Sequence, residues 1–118
     1  MLNKQLGSKG EEIITKYCKD FLGFEIIDRN YKCGKFGELD IIAKKDDLLI
    51  FVEVKARSSS SFMNIYEQVD KRKIKALARA IKYYIMKNNL KNAPFRLDLA
   101  TYNEATKKIK YYKNIYTE

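Results

Sequence analysis

An α/β fold in the order helix, three strands, helix, strand, with one further strand at the end, is what this chain of 118 residues predicts. Three observations carry that reading. Apolar residues recur at helical spacing near the start of the chain and again beyond residue 65. Between and after these stretches lie short runs of β-branched and aliphatic residues bounded by turn residues. One of these runs, Leu48-Leu49-Ile50-Phe51-Val52-Glu53-Val54-Lys55, is apolar almost throughout, as expected of a strand covered on both faces. No internal repeat or domain boundary interrupts the pattern, so residues 1–118 read as one domain with room for a real core.

Ser8-Lys9-Gly10-Glu11 is a capping-box pattern and predicts a helix running to about Leu22, with Ile14, Tyr17, Cys18, Phe21 and Leu22 as its buried stripe. Glu11 then has two readings. It closes the box on Ser8, or, lying on the inward side with Ile14 and Cys18, it reaches a cluster at the sheet. Gly23 is the expected C-terminal cap, and Phe24–Arg29 the first strand. Asn30–Gly37 reads as a basic, glycine-containing loop whose Lys32 and Lys35 are placed to touch a ligand, and whose Cys33 is a candidate reactive thiol. Gly37–Ala43 and Leu48–Lys55 are the next two strands. Arg57 and the run Ser58–Ser61 follow as a mobile loop. A long helix is expected from about Ile65 to Asn89. Its Val69, Ile74, Leu77, Ile81, Tyr84 and Ile85 form the apolar face, with Lys71, Lys75, Arg79 and Lys82 as a basic stripe opposite. Asn92-Ala93-Pro94 ends it, Phe95–Ala100 is a strand, and a weaker strand spans about Lys108–Tyr112.

The turn at Lys44-Lys45-Asp46-Asp47 sharpens the central hairpin. A turn symmetric about Asp46-Asp47 sets Ile41 against Val52, Ile42 against Phe51, Asp40 against Glu53 and Glu38 against Lys55. A slip of one residue would mix apolar and charged faces. The register that satisfies the apolar residues therefore gathers Glu38, Asp40, Glu53 and Lys55 on one face, where ionised groups cost several kcal/mol unless something pairs with them.

Composition narrows the chemistry. The chain contains no histidine, which excludes Ser-His-Asp and Cys-His catalysis and zinc sites built on imidazole. The two cysteines, Cys18 and Cys33, fit a reducing compartment and have no metal-ligand spacing. No apolar signal segment opens the chain and no stretch approaches a membrane span, so the expectation is a cytoplasmic protein with no membrane partner. Lys and Arg number 24 against 15 Asp and Glu, a formal charge of +9 that favours a polyanionic partner, nucleic acid first. Lys32, Lys35, Arg57, Lys71, Lys75, Arg79 and Lys82 are the candidate contacts.

Two or three carboxylates suffice for Mg²⁺ or Mn²⁺, which want hard oxygen ligands and keep several waters. Asp40 and Glu53 as ligands, with Lys55 to hold or deprotonate water, make a site for phosphodiester hydrolysis. The alternative is an ion-pair network in which Lys55 neutralises Glu38 and Glu53.

At these residues the chain resembles a known family. Asp40 followed by Glu53-Val54-Lys55 is similar to the signature of the PD-(D/E)xK nuclease superfamily, whose restriction-endonuclease-like α-β-β-β-α-β core has a mixed central sheet flanked by helices. More closely, the chain resembles the YraN-like bacterial proteins, a group compared with Holliday-junction resolvases. The shared motifs are Gly7-x-x-Gly10-Glu11, Arg29-Asn30, Gly37–Ala43, Phe51–Lys55 with Arg57, Lys73 and Arg96-Leu97-Asp98. The resemblance implies a divalent-metal-dependent DNA endonuclease, on branched or damaged DNA. Glu11 would join Asp40 and Glu53 at the metal, with Lys55 on the water and Glu38, Gln68 and Lys73 in support. Resolvase-like action on a two-fold junction would favour a homodimer. The other readings are a nucleic-acid-binding module without turnover and a protein-interaction subunit.

Overall fold

The computed structural model describes residues 3–58 and 69–117. The elements are α1 (Asn3–Asp20), β1 (Glu25–Lys32), β2 (Glu38–Lys45), β3 (Leu48–Arg57), α2 (Lys71–Lys87), β4 (Phe95–Asn103) and β5 (Lys108–Tyr112), with a 3₁₀ turn at Gly34–Phe36. The five strands form one sheet in the order β1-β2-β3-β4-β5. Only β3 and β4 are parallel; the other pairs are antiparallel, so the expected mixed α/β sheet is present. A parallel pair needs a crossover, and the segment containing α2 supplies it.

Strand alternation sends the apolar residues to two cores. Ile41, Ala43, Ile50 and Val52 pack with Leu6, Ile14 and Cys18 of α1. Ile42, Leu49 and Phe51 pack with Leu77, Ile81 and Tyr84 of α2 on the other face. Each such buried side chain contributes roughly 1.5–3 kcal/mol, so a slipped hairpin would forfeit several at once. The hairpin takes the expected register, Ile41 against Val52 and Ile42 against Phe51.

Several expectations are corrected. The first helix does not start at Ser8. It is already formed at Asn3, because Leu6, Gly10 and Ile14 at i, i+4 and i+8 continue one buried stripe. Ser8 is an exposed residue inside the helix, so Glu11 has no box to close. Phe21 leaves the stripe and is 75% exposed, stacked on Tyr17. Gly23 does take the left-handed conformation (φ 72°) that turns the chain out of α1.

The first strand extends beyond Arg29. Tyr31 and Lys32 pair with Leu39 and Glu38, past a bulge between Ile26 and Asp28 and a left-handed Asn30 (φ 52°). Tyr31 stands edge-on to Tyr84, a tertiary contact that a basic loop motif does not announce. Cys33 is fully buried in the core against α2, and burial pushes its thiol above the ordinary range, so it is not a reactive cysteine. The second helix starts at Lys71 rather than Ile65, because Asp70 is extended and its carboxylate accepts the Lys73 amide at 2.9 Å. The stretch Ile65–Gln68 and the run Ser59–Ser61 lie outside the described residues. The fourth strand reaches Asn103, and the fifth spans Lys108–Tyr112 as expected.

α1 approaches the sheet at Gly10. A Cβ there would stand 2.7 Å from the Cβ of Ala56, so only glycine permits this spacing between α1 and β3. Lys9, its neighbour, ties the helix to Glu104 after β4 at 2.7 Å.

Candidate functional site

The sheet forks at the acids. The β2–β3 ladder ends with the pair Ile41–Val52, one rung short of Asp40 and Glu53. Beyond it, β2 stays paired with β1 as far as Lys32–Glu38, while β3 stays paired with β4 as far as Arg57–Asn103. The amide of Val54 does not continue the ladder to β2; it donates to Asp40 Oδ2 at 2.9 Å. Asp40 thus both ends the pairing and holds the gap. The expected pairing of Glu38 with Lys55 does not form, because the strands have parted before they reach it. Glu38 is instead exposed at the mouth beside Lys32.

Glu53 lies at the base of the fork, 5% exposed. Lys55 Nζ and Lys73 Nζ each stand 3.6 Å from Glu53 Oε2, one from β3 and one from α2. Burial, then the charge of Asp40 and a hydrogen bond with it, pushes the Glu53 carboxyl up to about 8, against the opposing pull of Lys73 and Lys55.

Glu11 approaches from α1, placed by the close seat of Gly10. Its Oε1 is buried and has no hydrogen-bond partner among the described residues. Burial and the nearby charge of Asp40 raise its carboxyl above the usual range, Arg29 and the side chain of Asn30 lower it, and Glu38 adds a further upward push. Asp40 therefore faces Glu53 on one side and Glu11 on the other. No three His, Cys, Asp or Glu side chains among the described residues are drawn tightly enough together to enclose a metal ion by themselves. The carboxylate oxygens nevertheless fit the needs of Mg²⁺ or Mn²⁺, which complete their shells with water. The orphaned Glu11 oxygen and the buried Glu53 carboxyl, pushed upward beside Asp40, are what such an ion would satisfy.

The expected basic residues divide by position. Lys32 ends β1 at the mouth, Lys35 lies in the 3₁₀ turn over the Phe36 ring, and Arg57 ends β3 half-buried. Lys71, Lys75, Arg79 and Lys82 occupy the exposed face of α2. The stripe leads away from the fork: at 1.5 Å per residue, Lys82 is roughly 14 Å along the helix from Lys73. Gln68 lies outside the described residues. No described helix is long and apolar enough to cross a membrane.

Two features were not assigned roles from sequence. Arg29 and Asn30 flank Glu11, although Arg29-Asn30 had stood out only as a motif. Asp98, fully buried, accepts both Nε and Nη2 of Arg96 at 2.8 and 2.9 Å, the hydroxyl of Tyr111 at 2.5 Å and the amide of Asn114 at 2.8 Å. The Arg-x-Asp spacing, which puts both side chains on one face of a strand, was the available signal for that network.

Comparison with known proteins gives the family. A model of the uncharacterised protein family UPF0102 matches residues 10–101. The chain is 40% identical to a UPF0102 protein of Clostridioides difficile, over 98% of this chain and 100% of the relative. The figures are the same for a UPF0102 protein of Alkaliphilus metalliredigens, and a Campylobacter lari UPF0102 protein is 44% identical over 79% of each chain.

Proposed function

This chain belongs to the UPF0102 family, the YraN-like group that its motifs resemble, and we propose that it is a divalent-metal-dependent DNA endonuclease. The observation that carries the reading is the contact of the Asp40 and Glu53 carboxyls at the fork of the sheet, with Lys55 beside Glu53. Asp40, Glu53 and Glu11 would hold Mg²⁺ or Mn²⁺. Such an ion acidifies water and offsets the charge of a phosphodiester in transit.

The chain's own groups do the rest. Asp40, fixed by the Val54 amide, cannot swing away from the fork. Lys55 orients the attacking water, whose oxygen forms a bond to phosphorus as one P–O ester bond breaks; the proton this water gives up passes to solvent, and solvent supplies the proton that the leaving oxygen takes. Lys73 reaches the same Glu53 oxygen from α2, which leaves Lys55 available for the water. Lys32, Lys35 and Arg57 flank the mouth and would bind the backbone, with Glu38 and Gln68 in support. Branched or damaged DNA is the preferred substrate class in this reading, because a fork accessible from one end suits a backbone that is not continuous duplex.

The test is cleavage of linear, nicked, flapped and four-way DNA with Mg²⁺ or Mn²⁺. At least one substrate is expected to be cut, with Asp40→Asn lowering the rate at least a hundredfold. Survival of every substrate, or full activity in Asp40→Asn, would end the proposal. A second reading, DNA binding without turnover, draws on the exposed Lys71, Lys75 and Arg79 of α2, which need no metal to meet phosphates. It predicts salt-dependent binding and no cutting.

A further inference from the structure

Arg29 is held in an incomplete arrangement. It faces α1 from β1, where Nη1 bonds Glu12 Oε1 at 2.8 Å. Glu12 is a surface residue with 72% of its side chain exposed, whereas 30% of Arg29 is exposed. The Nε of Arg29 is buried and has no hydrogen-bond partner among the described residues. A guanidinium matches a carboxylate or a phosphate best through two parallel N–H bonds, and Arg96 on Asp98 shows that arrangement in this same sheet. Arg29 instead has a single bond to a solvated acid and an inward nitrogen with no acceptor.

Its position is equally telling. Arg29 is opposite Ile41, the residue next to Asp40, and acts electrostatically on Glu11. The next residue, Asn30, takes a left-handed backbone (φ 52°) and hydrogen-bonds the Glu11 side chain. The cation nearest to Glu11 is therefore engaged by an acid that loses little by letting go, since an exposed ion pair is worth at most about 1 kcal/mol.

We propose that Arg29 binds a backbone phosphate of nucleic acid beside the Glu11–Asp40 side of the fork, and that Glu12 holds the phosphate's place in the free protein. The phosphate displaces Glu12 and takes the outer edge of the guanidinium through Nη1 and Nη2, where Glu12 engages Nη1. The identity of the ligand rests on the nuclease reading; the test does not, because it is run without metal.

The experiment measures binding of a fluorescent four-way DNA junction in EDTA at low and moderate salt. Glu12→Gln is expected to tighten binding severalfold, while Asp20→Asn, the same charge change on an exposed residue of the same helix, changes it less than twofold. Arg29→Ala is expected to weaken binding about tenfold and to flatten the salt dependence by about one unit of log–log slope. Arg29→Lys, which keeps the charge without the fork, should fall between Arg29→Ala and the parent. Adding Glu12→Gln to Arg29→Ala should then change nothing. Thermal melts confirm that each variant is folded. Weaker binding in Glu12→Gln, an equal gain in Asp20→Asn, or a gain that persists without Arg29 would overturn the proposal. So would failure of the parent to bind DNA. If the parent binds with this pattern but no metal ion elicits cutting, the nuclease reading falls and the phosphate site stands.

Discussion

Two buried acids stand on neighbouring rungs of one ladder and have opposite fates. Val52 pairs with Asp98, and Glu53 pairs with Leu99, so the two carboxyls project to opposite faces of the sheet. Asp98 is fully buried and every group around it donates: a bidentate guanidinium, a phenol and a backbone amide. The Tyr111 phenol and the Arg96 guanidinium are both shifted upward, Tyr111 by burial first and then its bond to Asp98, Arg96 by that bond first. Glu53 has two ammonium groups at 3.6 Å and another acid in contact. One carboxylate is ringed by donors; the other is buried against a second acid, and its carboxyl is pushed upward despite two ammonium groups. Under the proposed function, the second arrangement is the one that a bound cation would complete.

Mutations can break or sharpen that contrast. The largest effect is expected at Asp98. Asp98→Ala leaves Arg96 and Tyr111 without their common partner and should cost about 3–5 kcal/mol in urea unfolding. Glu53 should respond with the opposite sign. Its carboxyl is raised to about 8 in the fold from an ordinary 4.5, so its favourable contribution is full at low pH and lost as pH rises through that interval. Glu53→Gln, which mimics the protonated form, should match the parent near pH 4 and exceed it in thermal stability near pH 9. Mn²⁺ should raise the melting temperature of the parent and leave that of Glu53→Gln unmoved. If Asp98→Asn is as well tolerated as Glu53→Gln, the division between structural and poised acid collapses.

Gly10→Ala is expected to come next, at about 1–3 kcal/mol. The new methyl meets Ala56 Cβ at 2.7 Å, an overpacking that exceeds the roughly 1 kcal/mol alanine gains in a helix. The change also moves Glu11 off the fork, so any metal-dependent signal should fall with it. Lys73→Met should be the mildest for stability, below about 1 kcal/mol, because the half-exposed lysine is well screened. It should nevertheless shift the Glu53 titration further upward, readable as an alkaline loss that continues to higher pH.

The central hairpin was legible because alternation allows only one register: Ile41 and Ile42 cannot both face inward properly in any other. Where the ladder stops was not legible. Asp40 competes with a backbone carbonyl for the Val54 amide, and no periodicity reports which acceptor wins. The start of α1 was misread for a related reason. Ser8-x-x-Glu11 is a valid local signal, but burial of Leu6, Gly10 and Ile14 overrode it. Cys33 reads as a candidate reactive thiol because it lies in a glycine-containing loop, whereas the fold buries it in the core against α2. The gathering of Asp40, Glu53 and Lys55 was legible in the hairpin register, and the approach of Glu11 in its place on the inward side of α1. Arg29 was not legible, because its partner Glu12 lies 17 residues away on another element.

The irregularities of β1 have a consequence for self-association. Among the described residues β1 and β5 are the outer strands of the sheet, and an intact margin templates the next chain. On β1 the bulge at Ile26–Asp28 and the left-handed Asn30 interrupt the row of amides, while β5 is only 5 residues long and carries Lys108 and Lys110. Neither margin invites strand addition, so the sheet resists growth into fibrils even though Ile27 is 42% exposed at its rim. A two-fold partner on a DNA junction would therefore be recruited through helices or loops, and the strand margins would stay bare.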